Sequence, residues 1–134
     1  MLRLFHSRIP TSIVPLTQFR RVTLLLDATA PDAEKAWNDA LTFFGKTGSE
    51  LTVVPVERKG IIRTSRRTDV LISLLPVHDW RSRYVVCRSQ AVFKIGRGQF
   101  GKPVFDLVVS DPEGRTFPQS EVLGKIFDIL RKLK

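Results

Sequence analysis

The chain has one cysteine, two histidines and no long apolar run. A single Cys87 excludes an intramolecular disulfide and suits a reducing compartment, so we expect a cytoplasmic protein. Its apolar neighbours predict a small core residue rather than a reactive thiol. A membrane-spanning helix needs about 18 consecutive apolar residues, so we expect no membrane partner. The two histidines lack metal-ligand spacing, and we predict neither a metal site nor a cofactor.

Glycine is missing where a nucleotide-binding turn would need it. The loop after the first predicted strand reads DATAPDAE (residues 27–34), which places acids where a pyrophosphate would sit. The one glycine-rich piece, IGRGQFGK (residues 95–102), joins two predicted strands, so its G-x-G-x-x-G match is weak. With Arg97, Phe100 and Lys102 it could contact RNA by stacking a base and holding phosphates. The alternative is an ordinary connecting loop.

Positive charge is what the chain has in excess, with 22 Lys and Arg against 13 Asp and Glu. The net +9 is segregated: residues 1–21 hold four bases and no acid, and residues 57–102 hold eleven bases and three acids. Such blocks attract phosphate backbones, although they also serve as solvated faces. We predict that RNA is bound by Arg58, Lys59, Arg63, Arg66, Arg67, Arg97 and Lys102.

The first 21 residues resemble an organellar transit segment in their Arg, Ser and Thr content. Pro10 and Pro15 oppose the continuous amphipathic helix that such a segment needs. No apolar core with a small-residue cleavage site follows, as a secretory signal would require. We interpret residues 1–21 as a basic arm and residues 22–134 as one α/β domain.

Hydrophobic periodicity predicts alternating strands and helices over residues 22–134. Crossover connections of this kind build a mainly parallel, doubly wound, Rossmann-like sheet of about five strands with helices on both faces. Pro55 suggests that the second strand lies at an edge. We predict strands at 22–26, 51–56, 69–75, 91–95 and 104–110, and helices from about 29 to 45 or 48, from 79 to 88, and from 118 or 120 onward.

Each predicted helix has a predicted inner face, set by apolar residues three or four positions apart. The first contains Ala33, Trp37, Ala40, Leu41 and Phe44; the second contains Trp80, Tyr84 and Cys87; the third contains Leu123, Ile126, Phe127, Leu130 and Leu133.

A doubly wound sheet binds ligands at the carboxyl ends of its strands. That rule selects Asp27, Thr29, His78 and Asp111 as an alternative site. An enzyme would use His78 as a general base oriented by Asp79 or Asp111, with Arg97 as an anion clamp and Asp27 as a metal or hydroxyl partner. Asp and Thr after a strand more often cap turns and helices, so a catalytic role is disfavoured.

Five segments carry a recognisable pattern: VTLLLDAT (22–29), DVLISLL (69–75), SQAVFKIGR (89–97), VFDLVVS (104–110) and LGKIFDILRKLK (123–134). Together they resemble a family of small basic bacterial α/β proteins of unknown function, most specifically at Ser89, Ala91, Phe93, Lys94 and Gly96. The resemblance implies the fold and a bacterial cytoplasmic setting, and no activity. DVLIS and Phe-Lys-Ile-Gly are also similar, at fold level only, to a Rossmann-like half of heptosyltransferases, where Ser73 replaces their acid.

The favoured hypothesis is a non-catalytic module that docks on RNA or a ribonucleoprotein surface through its basic residues. One alternative is a small-molecule-binding or degenerate enzymatic Rossmann-like domain that uses the carboxyl-end crevice. A further alternative is a protein-interaction module that exposes Trp80, Tyr84 or Phe100.

Overall fold

The structure is a computed structural model that describes the backbone of residues 3–5 and, in full, residues 20–60, 62, 68–76, 79–99, 104–111, 114 and 116–132. Six strands and three helices lie in this part of the chain. In chain order they are β1 (Arg3–Phe5), β2 (Arg21–Asp27), α1 (Ala33–Thr47), β3 (Glu50–Val56), β4 (Val70–Ser73), α2 (Trp80–Arg88), β5 (Phe93–Gly96), β6 (Leu107–Ser110) and α3 (Gln119–Leu130).

The strands form one sheet in the order β1-β6-β5-β4-β2-β3. Strands β2 to β6 are parallel, and β1 adds an antiparallel edge strand beside β6. When the five parallel strands are numbered 1 to 5 in chain order, from β2 to β6, their order across the sheet is 2-1-3-4-5. This is one of the two common orders of doubly wound sheets. The predicted α/β, Rossmann-like class is therefore confirmed.

Helices cover both faces of the sheet, as predicted. Leu24 of β2 packs with α1 and α3 on one face, whereas the next residue, Leu25, packs on the opposite face in the cluster that contains Val86 of α2. Both leucines are fully buried, as a continuous apolar run predicts for a central parallel strand. The Phe43 ring of α1 stacks on Phe127 of α3 at 4.0 Å between ring centroids, joining the two helices that share a face.

The predicted edge position of the second strand is confirmed, because β3 pairs only with β2 among the described strands. The Glu50 N–H donates to Arg20, and Val56 accepts from the Ala28 N–H, so the even-numbered residues of β3 bond to β2. The Pro55 backbone consequently faces the open edge, where its missing N–H removes no ladder bond.

Helix α1 is placed as predicted, but its inner face is rotated. Ala36, Ala40, Phe43 and Phe44 are buried, whereas the predicted core residues Trp37 and Leu41 are exposed. The adjacent Phe43 and Phe44 occupy the buried face of the helix, and Trp37 and Leu41 consequently lie on its exposed side. The helix continues through Gly45 and ends at Gly48, whose φ of 73° suits glycine.

The predicted inner face of α2 is wrong. Ser82 and Val86 are its buried residues, while Trp80 and Tyr84 are 75% and 58% exposed. Cys87 is exposed as well, which corrects its assignment to the core. The small Ser82 side chain, with Val86, is what this helix turns toward the sheet.

Helix α3 buries Leu123, Ile126, Phe127 and Leu130, as predicted, together with Val122. The remaining predicted core residue, Leu133, lies outside the described residues. Strand β1 belongs to the stretch interpreted as a basic arm, of which residues 6–19 also lie outside the described part.

Candidate nucleic-acid interface and carboxyl-end pocket

An open pocket of about 400 Å³ lies where the carboxyl ends of β2, β3 and β4 meet the start of α2. Chain connections leave β2 toward β3 on one side and continue from β4 toward β5 on the other, so this is the switch point where doubly wound sheets bind ligands. Its walls include Asp27, Thr29, Glu57, Arg58, Trp80 and Arg81.

Asp27 and Thr29 come together at this pocket, as predicted. The Asp27 Oδ1 atom accepts from the Thr29 N–H at 3.0 Å and from the Thr29 hydroxyl at 2.5 Å. The buried Gln119 side chain fixes the same turn, because its amide binds both the N–H and the carbonyl oxygen of Asp27. Among the described residues none donates to Asp27 Oδ2, and the Asp27 carboxylate interacts electrostatically with Arg81.

Asp79 and Arg81 build the wall of the pocket at the start of α2. Asp79 caps the helix by accepting from the Arg81 N–H at 3.0 Å, and its other oxygen accepts from Arg81 Nη2 at 3.0 Å. Arg81 also donates to the carbonyl oxygens of Glu57 and Gly60, which ties the loop after β3 to α2. Burial alone would raise the pKa of Asp79, but its bonds with Arg81 outweigh burial and lower that pKa.

The charge balance of the pocket does not suit a phosphate. Three acidic residues, Asp27, Glu57 and Asp79, line the pocket together with two arginines, Arg58 and Arg81. One of those arginines is already engaged by Asp79. An anionic ligand would therefore be repelled by more charge than would attract it.

Arg97 and Asp111 form an ion pair. The sequence predicted Arg97 in the RNA site and Asp111 in the alternative site at the carboxyl ends of the strands. Arg97 Nη2 donates to both Asp111 oxygens at 2.9 Å and to the Phe117 carbonyl oxygen at 3.0 Å. Only 9% of the Arg97 side chain is exposed. A phosphate would have to displace Asp111 to reach this guanidinium. In the structure Arg97 instead stabilises the fold by joining Asp111 and Phe117.

The glycine-rich piece is held by its own side chains. A Cβ atom on Gly96 would lie 2.4 Å from the Phe105 ring, so this glycine allows close packing at the end of β5. The Gln99 side chain accepts from the N–H groups of Val104 and Phe105 and donates to the Phe105 carbonyl oxygen. These contacts give the described part of the piece the role of a connecting loop. Phe100 and Lys102 lie outside the described residues.

Asp32 caps a helix other than its own. Its Oδ2 atom accepts from the Ser120 N–H at 2.8 Å, at the start of α3. Burial would raise the pKa of Asp32, but the hydrogen bonds from Ser120 outweigh burial and lower it. Together with Gln119, this contact fixes α3 against the carboxyl end of β2.

The outer face of α2 joins aromatic rings with arginines. Trp80, Arg83, Tyr84 and Arg88 are all exposed, at helical spacings of three and four residues. The Arg88 guanidinium lies over the Tyr84 ring at 5.2 Å from its centroid. The one acid at this helix, Asp79, is engaged by Arg81. We call Trp80, Arg83, Tyr84 and Arg88 the α2 face.

The other predicted residues fall in two groups. Arg58 and Lys59 are exposed directly after β3, and Arg58 lines the same pocket as Trp80. Arg63, Arg66, Arg67 and His78 lie outside the described residues, so their predicted roles stay predictions. Within the described ranges no group of His, Cys, Asp and Glu is arranged to hold a metal ion.

The sequence predicted both rings on the inner face of α2 and gave their exposure only as an alternative, which the structure bears out for Trp80 and Tyr84. The signal was present: Ser82 and Val86, four residues apart, form a small alternative inner face, and three arginines occupy nine helical positions. A helix this polar buries only a narrow stripe.

No described helix is long and apolar enough to span a bilayer. Comparison of the chain with protein-family models, with curated proteins and with solved structures gives no match.

Proposed function

We propose that this protein is a non-catalytic module that binds single-stranded RNA on the α2 face. The observation that carries the proposal is the exposure of Trp80 and Tyr84, at 75% and 58%, on one helix face beside Arg83 and Arg88. Contiguous exposed apolar surface often marks an interaction site on a soluble protein. Bases splayed from a single strand stack on such rings and on guanidinium planes.

The geometry suits a strand that runs along the helix. Four residues rise about 6 Å, so the two rings stand side by side, and a base can stack on Trp80 and on the face of Tyr84 that Arg88 does not cover. Arg83 and Arg88 flank Tyr84, and Arg58 and Lys59 extend the positive charge past Trp80 at the carboxyl end of the sheet. These four cations are exposed, which leaves them available to phosphates.

Charge and chemistry favour RNA over a protein partner. Residues 57–102 carry eight more bases than acids, whereas residues 103–134 are balanced. An aromatic platform surrounded by arginines binds bases without strong sequence preference, since every base has a π face. A duplex hides its base faces and is expected to bind more weakly than a single strand.

The test is a fluorescence-anisotropy titration of a labelled single-stranded RNA with the full chain and with two variants. Trp80→Ala and Tyr84→Ala should each weaken binding about 5- to 150-fold, as loss of one stacked base does. Trp37→Ala is the matched control, because Trp37 is an exposed aromatic residue of α1 on the opposite face of the sheet. It should bind RNA like the unmodified chain.

Two results would overturn the proposal. One is the absence of RNA binding at low salt, and the other is an equal effect of Trp37→Ala and Trp80→Ala. If RNA fails to bind while the α2 variants lose a protein partner, the face is a protein interface instead.

A small-molecule-binding domain is the second candidate, favoured by the 400 Å³ pocket at the switch point. Pockets of about 300–1,000 Å³ commonly hold small ligands. A nucleoside or amine that raises the melting temperature in the absence of RNA would support this candidate. An unchanged melting temperature for the full chain across such a panel would count against it.

A further inference from the structure

We propose that the carboxyl-end pocket binds a guanine base, with Asp27 accepting hydrogen bonds from its Watson–Crick edge and Trp80 stacking on it. The inference rests on the proposed RNA binding and adds a base preference to it. It follows from one pocket that combines an exposed ring, a carboxylate oxygen able to accept, and too little positive charge for a phosphate.

Trp80 belongs both to the α2 face and to the pocket wall. A strand that runs along α2 therefore passes the mouth of the pocket. A base that turns inward at that point leaves its phosphate outside, near Arg58 and Lys59, which are exposed at the same edge. The charges fit this arrangement, because Arg58 and Lys59 are exposed at this edge while Asp27 lines the pocket.

The carboxylates select among the bases. An ionised carboxylate only accepts hydrogen bonds, so it favours an edge that presents donors. Guanine presents two adjacent donors, N1–H and the N2 amino group, and Asp27 Oδ2, the oxygen that Thr29 does not engage, can accept from them. Adenine, cytosine and uracil each place an acceptor beside their donor on that edge, and the acceptor would face a negative oxygen.

Asp27 is held in position for this role. Its backbone is fixed on both sides by the buried Gln119 amide, and its Oδ1 atom is fixed by Thr29. Glu57 also lines this pocket, on the loop that Arg81 holds by donating to the Glu57 carbonyl oxygen. The carboxylate is thus oriented before a base arrives, which lowers the entropic cost of binding.

The experiment compares three short RNAs by anisotropy: an oligouridine, the same oligouridine with one central guanosine, and the same with inosine in its place. Inosine keeps N1–H but lacks the N2 amino group. We expect the guanosine RNA to bind about tenfold more tightly than the oligouridine, with the inosine RNA between them.

Asp27→Asn should bring the affinity for the guanosine RNA down toward that for oligouridine. Asp128→Asn is the matched control, since it removes one exposed carboxylate on α3 and should keep the preference. Glu57→Gln is a second test at the pocket wall in case Asp27→Asn unfolds the chain, and it should also reduce the preference. Free GMP that competes as well as the guanosine RNA would assign the pocket to a nucleotide instead of a strand.

Equal affinity for the three RNAs overturns the guanine pocket and leaves RNA binding standing. A guanosine preference that survives both Asp27→Asn and Glu57→Gln overturns it too. Failure of all three RNAs to bind overturns the proposed function itself.

Discussion

Arg97 donates from a single nitrogen to both carboxylate oxygens of Asp111, each at 2.9 Å, and the same nitrogen reaches the Phe117 carbonyl oxygen. Asp111 in turn accepts from the Phe117 N–H. The pair therefore joins the ends of β5 and β6 to the segment that leads into α3. Because the Arg97 side chain is only 9% exposed, this ion pair stabilises the carboxyl edge of the sheet at the ends of β5 and β6.

Removing one partner of this pair should destabilise the fold. Asp111→Ala leaves the Arg97 guanidinium almost buried without its counterion, which costs about 3 kcal/mol of unfolding free energy. Urea denaturation measures the change. The control is Asp128→Ala, which breaks the exposed pair with Arg131 and should cost less than about 1 kcal/mol. Equal losses in the two variants would show that Arg97 is not held as described.

Replacing Gly96 and Gly45 with alanine should change the unfolding free energy in opposite directions. Gly96→Ala places a Cβ atom against the Phe105 ring and should lower the unfolding free energy by about 1–3 kcal/mol. Gly45→Ala adds a methyl group within α1 that meets no atom beyond the helix's own neighbouring backbone within 4 Å, and it should raise the unfolding free energy by about 0.5–1 kcal/mol. Thermal denaturation of both variants tests the pair. A stable Gly96→Ala protein would contradict the close packing of β5 and Phe105.

Acid should weaken the fold partly through Asp32. In the folded chain the pKa of Asp32 lies below its ordinary value of 3.8. The charged carboxylate therefore stabilises the fold above pH 3.8, and this stabilisation is lost as pH falls through the pKa of the folded chain. Asp32→Asn should therefore be less stable than the unmodified chain near neutral pH, and the gap should close as pH falls below about 4. Urea denaturation between pH 7 and pH 3 measures the gap. A constant gap would show that Ser120 does not stabilise the charged form.

Much of the fold could be predicted from the sequence because apolar periodicity reports burial. The run from Val22 to Leu26 is buried on both faces, and Pro55 marks an edge strand. The faces of α1 and α2 could not be predicted as well. In α1 the neighbouring Phe43 and Phe44 are buried in place of Trp37 and Leu41, and in α2 the polar Ser82 is buried, which apolar periodicity does not select.

The site was predicted in part for a related reason. Asp27 and Thr29 follow a strand directly, so the topology places them at the carboxyl edge. The partners of a charged side chain depend on contacts distant in sequence, such as those of Arg97 with Asp111 or of Asp32 with Ser120. Counting charges along the chain cannot distinguish an engaged arginine from an exposed one.

The central claim is that RNA lies on the α2 face, and the salt dependence of RNA affinity tests it most directly. Each phosphate neutralised on a single strand contributes a slope of about −0.7 in the logarithm of affinity against the logarithm of salt concentration. Arg83→Ala combined with Arg88→Ala should make the slope shallower by about 1.4, because two phosphate contacts are lost. Lys46→Ala combined with Lys125→Ala removes the same charge from α1 and α3, on the other face of the sheet, and should leave the slope unchanged. A slope that is flat in the unmodified chain, or that changes equally in both double variants, would contradict the account.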